Sequence, residues 1–218
     1  MKIEHIKKNL MHNEYPAVVI NVKYPEFSFP EDSAFERKIN KYYKSLSSAY
    51  TKFAETDLYK IAKLRLFGNA KENSEQPKPY SALFDFKITY TDELYICLYT
   101  NATVYLGEGR GNIKRSVQLW DKKKRTIVKP ARAFALGSAD KKAVLEEIYE
   151  RIESGDGYYY NNLSSDDLRR HIDLNNACLT NTGCTLFFPQ KSIAPHVMGI
   201  IEFEIKTRYS RINNPIEA

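Results

Sequence analysis

Long apolar runs and signal-peptide features are missing from this chain of 218 residues. Nowhere do about 18 apolar residues follow one another, so the sequence predicts no membrane-spanning helix. The first ten residues, MKIEHIKKNL, contain no apolar stretch of the length that a signal peptide needs. As written, the sequence therefore predicts a cytoplasmic protein.

Metal-binding patterns are also missing. The three cysteines, Cys97, Cys178 and Cys184, are an odd number and include no CxxC pair. Cys178 and Cys184 flank a predicted turn across which they could approach each other. A buried pair of thiols is favoured over a disulfide, and both alternatives remain open. The four histidines have neither zinc spacing nor an HExxH motif, so no metal and no cofactor are predicted. They are His5, His12, His171 and His196.

Aromatic residues and positive charge are what the chain does contain. It has 16 Tyr, 11 Phe and a net charge of +6, which permits weak attraction to nucleic acid or acidic glycans. The single dense basic cluster, residues 122–125, lies between two strand-like segments. A solvated hairpin tip is favoured there over a binding patch, which argues against nucleic acid as the partner.

The pattern of apolar residues predicts an α+β fold. A β-branched run at residues 15–25 predicts a strand, and apolar residues at helical spacing from residue 34 to residue 66 predict one long amphipathic helix, with a possible break near residues 55–57. Strand patterns at residues 81–90, 94–106, 112–120 and 126–128, joined by short turns, indicate an antiparallel meander. Two shorter helices and a final hairpin follow. We expect an antiparallel β-sheet with the long N-terminal helix and further helices packed on it. The expected organisation is one domain over residues 1–218 with a core at about 15–206.

Two loops hold the candidate binding residues. Three alternate glycines in Gly107-Glu-Gly-Arg-Gly111 allow close approach to a ligand, which Glu108 and Arg110 would contact, although a tight turn or bulge is favoured. His196 follows Ile193-Ala-Pro195 in a loop between two strands, where a structural histidine is favoured over a general base. Asp166 and Asp167 are best explained as helix caps. No catalytic residue is predicted, because no nucleophile motif and no convergent set of acids and bases is evident.

The order of several short motifs resembles the DUF3298 domain family, together with the DUF4163 segment that commonly precedes it. The motifs are residues 22–27 followed by Lys38-Ile-Asn40, the glycine-rich segment 107–111, Leu179-Thr180 with Gly183 and Phe188, and Ile193-Ala-Pro195 with Gly199. Arg110 stands where relatives usually have a histidine, and His196 where they usually have a tyrosine. The resemblance implies an α+β fold and a binding or sensing role. Relatives are usually extracytoplasmic: they form the outer part of a lysozyme-recognising anti-sigma factor or lie beside polysaccharide deacetylase domains.

The function expected from the sequence is that of a non-enzymatic binding or sensing module for a protein or a cell-wall glycan. Its expected ligand contacts are Glu108, Arg110 and His196. Two alternatives remain open: a small cell-wall polysaccharide hydrolase or deacetylase-related enzyme, and a weak nucleic-acid binder that acts through basic charge.

Overall fold

Two β-sheets organise the part of the chain that the computed structural model describes, which comprises residues 1–67, 78–133, 138–155, 157–161 and 163–205. One has six strands in the order β1-β2-β3-β4-β5-β6 and the other has three in the order β7-β8-β9. The α+β class is therefore confirmed. The strands are β1 Lys2–His12, β2 Tyr15–Glu26, β3 Tyr80–Thr91, β4 Tyr95–Tyr105, β5 Asn112–Asp121, β6 Thr126–Val128, β7 Ala177–Thr180, β8 Gly183–Phe188 and β9 Ile201–Ile205. The α-helices are α1 Ser33–Phe53, α2 Tyr59–Ala62, α3 Pro130–Ala133, α4 Ser138–Glu153 and α5 Ser165–His171.

The chain separates into two compact units. The first comprises Met1–Phe86 and Thr100–Lys114, and the second comprises Lys87–Tyr99 and Arg115–Ala218. Strands β3, β4 and β5 therefore contribute residues to both units. The expectation of one domain over residues 1–218 stays a prediction.

Helix α1 covers the apolar face of the first unit. Asp32 caps its first turn, because its carboxylate accepts a hydrogen bond from the Phe35 amide at 3.0 Å. The buried side of α1 is formed by Phe35, Ile39, Tyr43, Ser47 and Thr51. The helical path then widens into a π-turn at Ala54–Leu58, where the sequence suggested a break, and returns through α2 to a second π-turn at Lys63–Phe67.

The long helical connection between β2 and β3 places these two strands side by side in parallel, which differs from the predicted sheet. Strand β2 pairs with β3 in parallel, for example Val18 with Tyr80 and Val22 with Phe84. The sheet is therefore mixed, and the prediction of a purely antiparallel sheet is wrong. Parallel neighbours need a long crossover, which the helical segment between β2 and β3 supplies.

The N-terminal segment lies outside the expected core of about residues 15–206, yet it belongs to the sheet. Residues Lys2–His12 form β1, which pairs antiparallel with β2 along its whole length. His5 contributes a side-chain contact across the pair, with its Nε2 atom 2.6 Å from Asn21 Oδ1.

The second unit packs helices α4 and α5 on the antiparallel sheet β7-β8-β9. Ile148, Leu168, Phe188 and Phe203 are buried in one hydrophobic cluster. Cys97 and Cys178 lie in another cluster of the same unit, together with Leu119 and Phe187. In the described residues, no helix is long and apolar enough to cross a membrane.

The cysteines do not form the pair that the sequence suggested. All three are free and buried. Cys184 is paired in register with Leu179 and belongs to the cluster formed with α4 and α5, whereas Cys178 belongs to the cluster of Cys97. The turn between Cys178 and Cys184 is the expected hairpin. Cys184 is paired with Leu179, and Leu179 and its neighbour Cys178 point to opposite faces of the strand. The two thiols therefore lie on opposite faces of the hairpin and do not share a core.

Candidate functional site

The glycine loop, residues 107–111, is a tight connection between β4 and β5 in the first unit. Gly107 has φ +89° and Gly109 has φ +65°, angles that L side chains rarely adopt. The Tyr105 hydroxyl donates to the Gly107 carbonyl at 2.6 Å, which fixes the start of the loop. A Cβ atom on Gly111 would lie 2.9 Å from Thr103 Cγ2, so close packing requires glycine there as well.

Glu108 and Arg110 extend from this loop and are both exposed. The turn that the sequence favoured is therefore present, and it presents the two candidate side chains to solvent. The carboxylate of Glu108 and the guanidinium group of Arg110, two positions apart, are suited to polar contacts with a ligand.

The crossover loop, residues 189–199, lies between β8 and β9 in the second unit. Ile193 and Ala194 are buried and anchor it, while Pro195 precedes a single 3₁₀ turn at His196–Met198. Gly199 ends the turn with φ +76°, the left-handed conformation for which glycine is suited.

His196 occupies the first position of this turn. Its carbonyl accepts hydrogen bonds from the Gln190 side-chain amide at 3.0 Å and from the Gly199 amide at 3.1 Å. Its ring Nε2 atom is buried and has no hydrogen-bond partner among the described residues. A buried ring nitrogen without a partner is unusual in a folded protein, but a surface ligand does not reach it in this conformation of the loop. Glu108 and Arg110 belong to the first unit and His196 to the second, so each loop is a candidate by itself.

Exposed tyrosines accompany the crossover loop. The segment Tyr158-Tyr159-Tyr160 is attached to it by a hydrogen bond from the Tyr160 amide to the Ile193 carbonyl at 3.0 Å. Tyr159 turns inward and stacks on Phe203, with ring centroids 6.2 Å apart. Tyr158 is 79% exposed and Tyr160 is 42% exposed, and Val197 within the loop is 65% exposed. We call Tyr158, Tyr160, Val197 and the crossover loop the tyrosine surface.

Arg115 forms a contact that the sequence analysis did not identify. Its guanidinium carbon lies 4.0 Å from the ring centroid of Tyr99 and 4.4 Å from that of Phe187. Its Nη1 atom donates to Glu202 Oε1 at 2.6 Å. Residues two positions apart share one face of a strand, so Arg115 lies on the same face of β5 as Ile113, Val117 and Leu119. An arginine within this apolar pattern was the sequence signal that could have identified the contact.

The basic cluster at residues 122–125 forms the turn between β5 and β6, as predicted. Lys122 donates to the Asp92 carbonyl, and the Lys124 amide donates to Asp121 Oδ1 at 2.8 Å. Part of the hydrogen-bonding capacity of this basic cluster is therefore used within the second unit. The described residues contain no group of three or more His, Cys, Asp or Glu side chains that could hold a metal ion.

Comparison with protein-family models matches two regions of the chain. Residues 134–208 match DUF3298, a family of unknown function, and residues 11–113 match the family Deacetylase PdaC. The segment 134–208 is therefore similar to DUF3298 domains. The DUF3298 match contains the crossover loop with His196, and the PdaC match contains the glycine loop with Glu108 and Arg110. The DUF3298 resemblance is thereby confirmed, while the DUF4163 assignment stays a prediction.

Solved structures of DUF3298 proteins have the same fold. A family member from Bacteroides fragilis is 16% identical, with a TM-score of 0.59, and the alignment covers 98% of this chain and 92% of that one. A family protein from Pseudomonas aeruginosa is 15% identical, with a TM-score of 0.54 and coverage of 97% and 92%. At such low identity the likeness concerns the fold alone. No curated protein matches the chain.

Proposed function

We propose that this DUF3298 protein is a non-enzymatic binding module whose ligand, a protein or a cell-wall glycan, is held at the tyrosine surface. The observation that carries the proposal is the exposure of Tyr158 and Tyr160 on a segment hydrogen-bonded to the crossover loop. Exposed tyrosines are costly to leave in water and supply flat, amphipathic area to a partner.

The neighbouring groups suit recognition of a polar ligand. Tyrosine rings stack on apolar faces of a ligand while their hydroxyl groups reach water or polar atoms. His196, half-buried in the crossover loop, is the remaining candidate contact. Backbone anchoring through Ile193 and Ala194 keeps the loop ordered before binding, which lowers the entropy lost on association.

The glycine loop is a second, separate contact in this proposal. Glu108 and Arg110 are exposed and would bind charged groups of a ligand. Exposed charges contribute little affinity individually, so their effect is expected to be smaller than that of the tyrosines.

Binding assays with two probes test the proposal. Co-sedimentation with purified peptidoglycan measures glycan binding, and a pull-down from native lysate with mass spectrometry measures protein binding. Tyr158→Ala and Tyr160→Ala are each expected to weaken capture about tenfold or more, since truncating an aromatic anchor typically costs about 2 kcal/mol. Tyr15→Ala is the matched control, because Tyr15 is 43% exposed and lies in the other unit.

The outcomes separate the two loops. Loss of capture in the tyrosine variants alone supports the tyrosine surface, and equal loss in Tyr15→Ala would contradict it. If the double change Glu108→Ala with Arg110→Ala leaves capture untouched, the glycine loop is not a ligand contact.

Cell fractionation complements the assay: a glycan ligand requires a location outside the cytoplasmic membrane, whereas the cytoplasmic location expected from the sequence fits a protein ligand.

A second candidate function is polysaccharide deacetylation, which the match to Deacetylase PdaC favours. Acetate release from acetylated peptidoglycan measures it directly. We expect no release above the blank. If the protein releases acetate and Glu108→Gln or His196→Ala abolishes this release, the protein is an enzyme and the proposal of a non-enzymatic binding module is wrong.

A further inference from the structure

Two thiols from distant parts of the sequence meet in the core of the second unit. Cys97 on β4 and Cys178 on β7 are both fully buried and belong to one hydrophobic cluster. The Leu179 amide donates to Cys97 Sγ with an N···S distance of 3.3 Å, although the two residues are 82 positions apart. The sulfur of Cys97 is therefore held against the backbone next to Cys178.

The surroundings make the two sulfurs chemically different. The pKa of Cys97 is lowered, chiefly by its interaction with the Cys178 thiol and also by the hydrogen bond from the Leu179 amide, while burial acts to raise it. The pKa of Cys178 is raised by its interaction with Cys97 and by burial. Since the thiolate is the nucleophile, Cys97 is the sulfur suited to react first and Cys178 the one suited to follow.

We propose that Cys97 and Cys178 are an oxidisable dithiol, a modification site at which a peroxide forms a disulfide between β4 and β7. The Cys97 thiolate attacks one peroxide oxygen, the O–O bond breaks, and a sulfenic acid and hydroxide form. Cys178, deprotonated by that hydroxide, attacks the sulfenic sulfur, the S–O bond breaks and the S–S bond forms. The hydroxide released from the broken S–O bond takes up the proton that Cys97 lost. In total, two thiols lose two protons and two electrons, and one hydrogen peroxide becomes two waters.

Access for a small oxidant comes from the position of β7. This strand has four residues and lies at an edge of the three-stranded sheet. Short edge strands open locally at lower free energy than central ones, and peroxide is small enough to enter through such an opening. The proposal does not depend on the ligand-binding function.

Peptide mapping tests the proposal on the whole protein. The protein is treated with hydrogen peroxide, its remaining thiols are alkylated in denaturant, and it is digested without reduction for mass spectrometry. We expect one cross-linked peptide pair that joins Cys97 to Cys178, with Cys184 alkylated. The oxidised protein should also unfold at a higher temperature than the reduced protein, because a bond closing a long loop restricts the unfolded chain. Dithiothreitol should reverse both changes.

Cys184→Ala is the matched control, since Cys184 is also buried but lies in the other cluster. It should leave the cross-link intact, whereas Cys178→Ala should abolish the cross-link and the thermal shift. The peptide map of the wild-type protein decides the pairing even if a variant folds poorly. The proposal is overturned by a cross-link that includes Cys184. It is equally overturned if all three thiols are alkylated after peroxide treatment in urea just below the unfolding transition, where local opening is frequent.

Discussion

Arg115 places a positive charge on the apolar face of strand β5. Its side chain is only 10% exposed, and the rings of Tyr99 and Phe187 cover the guanidinium group, with Glu202 as its ionic partner. Because the planar guanidinium group is weakly hydrated and stacks on aromatic faces, it tolerates this environment better than an ammonium group would. The two rings, rather than the carboxylate, are therefore expected to provide most of the stabilisation.

Arg115→Lys should lower the free energy of unfolding by about 1–2 kcal/mol, because lysine keeps the charge and loses the stacking. Glu202→Gln is the control: Glu202 is 47% exposed, and exposed ion pairs contribute at most about 1 kcal/mol. Urea denaturation followed by the fluorescence of Trp120, which is buried in the same unit, measures both. If Glu202→Gln costs as much as Arg115→Lys, the ion pair and not the stacking holds this arginine.

At the scale of elements, local signals were predictable from the sequence and non-local pairings were not. The helix cap predicted at Asp166 and Asp167 depends on neighbouring residues, and the structure has a cap there, formed by Ser164 and Asp167. Strand β1 was missed because its sequence, KIEHIKKNLMH, is polar on most positions, as is common at a sheet edge. The parallel pairing of β2 with β3 and the meeting of Cys97 with Cys178 depend on the path of the chain, which no local pattern specifies.

The candidate site divides in the same way. The glycine spacing located the turn that carries Glu108 and Arg110, and the Ala-Pro and glycine signals located the crossover loop with His196. The exposure of Tyr158 and Tyr160 was not predictable, because the neighbouring Tyr159 has the same chemistry and yet packs on Phe203.

Helix α5 provides an element-scale prediction, because it begins with a reciprocal cap. The Ser164 hydroxyl accepts a hydrogen bond from the Asp167 amide, and the Ser164 amide donates to the Asp167 carboxylate at 2.9 Å. Ser164→Ala should lower the free energy of unfolding by about 1 kcal/mol, whereas Ser165→Ala, at the next exposed position, should change it little. Urea denaturation at neutral pH measures the difference.

The same cap should depend on pH. Hydrogen bonds from Ser164 lower the pKa of Asp167 below its ordinary value of 3.8. The stabilisation is therefore complete above that value and is lost as the pH falls through the lowered pKa of the folded state. The difference between wild type and Ser164→Ala should shrink in acid. A difference that stays constant down to low pH would show that the carboxylate takes no part in the cap.

At the scale of the whole molecule, three strands contribute to both compact units. The divisions at residues 86–87, 99–100 and 114–115 fall inside β3, β4 and β5. Unfolding either unit alone would therefore require these strands to lose their ladder hydrogen bonds partway along, which leaves backbone groups unpaired. We therefore predict that loss of one unit destabilises the other, as in one domain.

Two probes with different locations test this cooperativity. Trp120 is the only tryptophan and lies in the second unit, whereas α1 in the first unit contributes strongly to circular dichroism at helical wavelengths. We expect both signals to change at the same urea concentration, as in a two-state transition. Arg115→Lys, a change in the second unit, should move both midpoints by the same amount. If it moves the Trp120 midpoint alone, the units unfold independently and the chain comprises two domains.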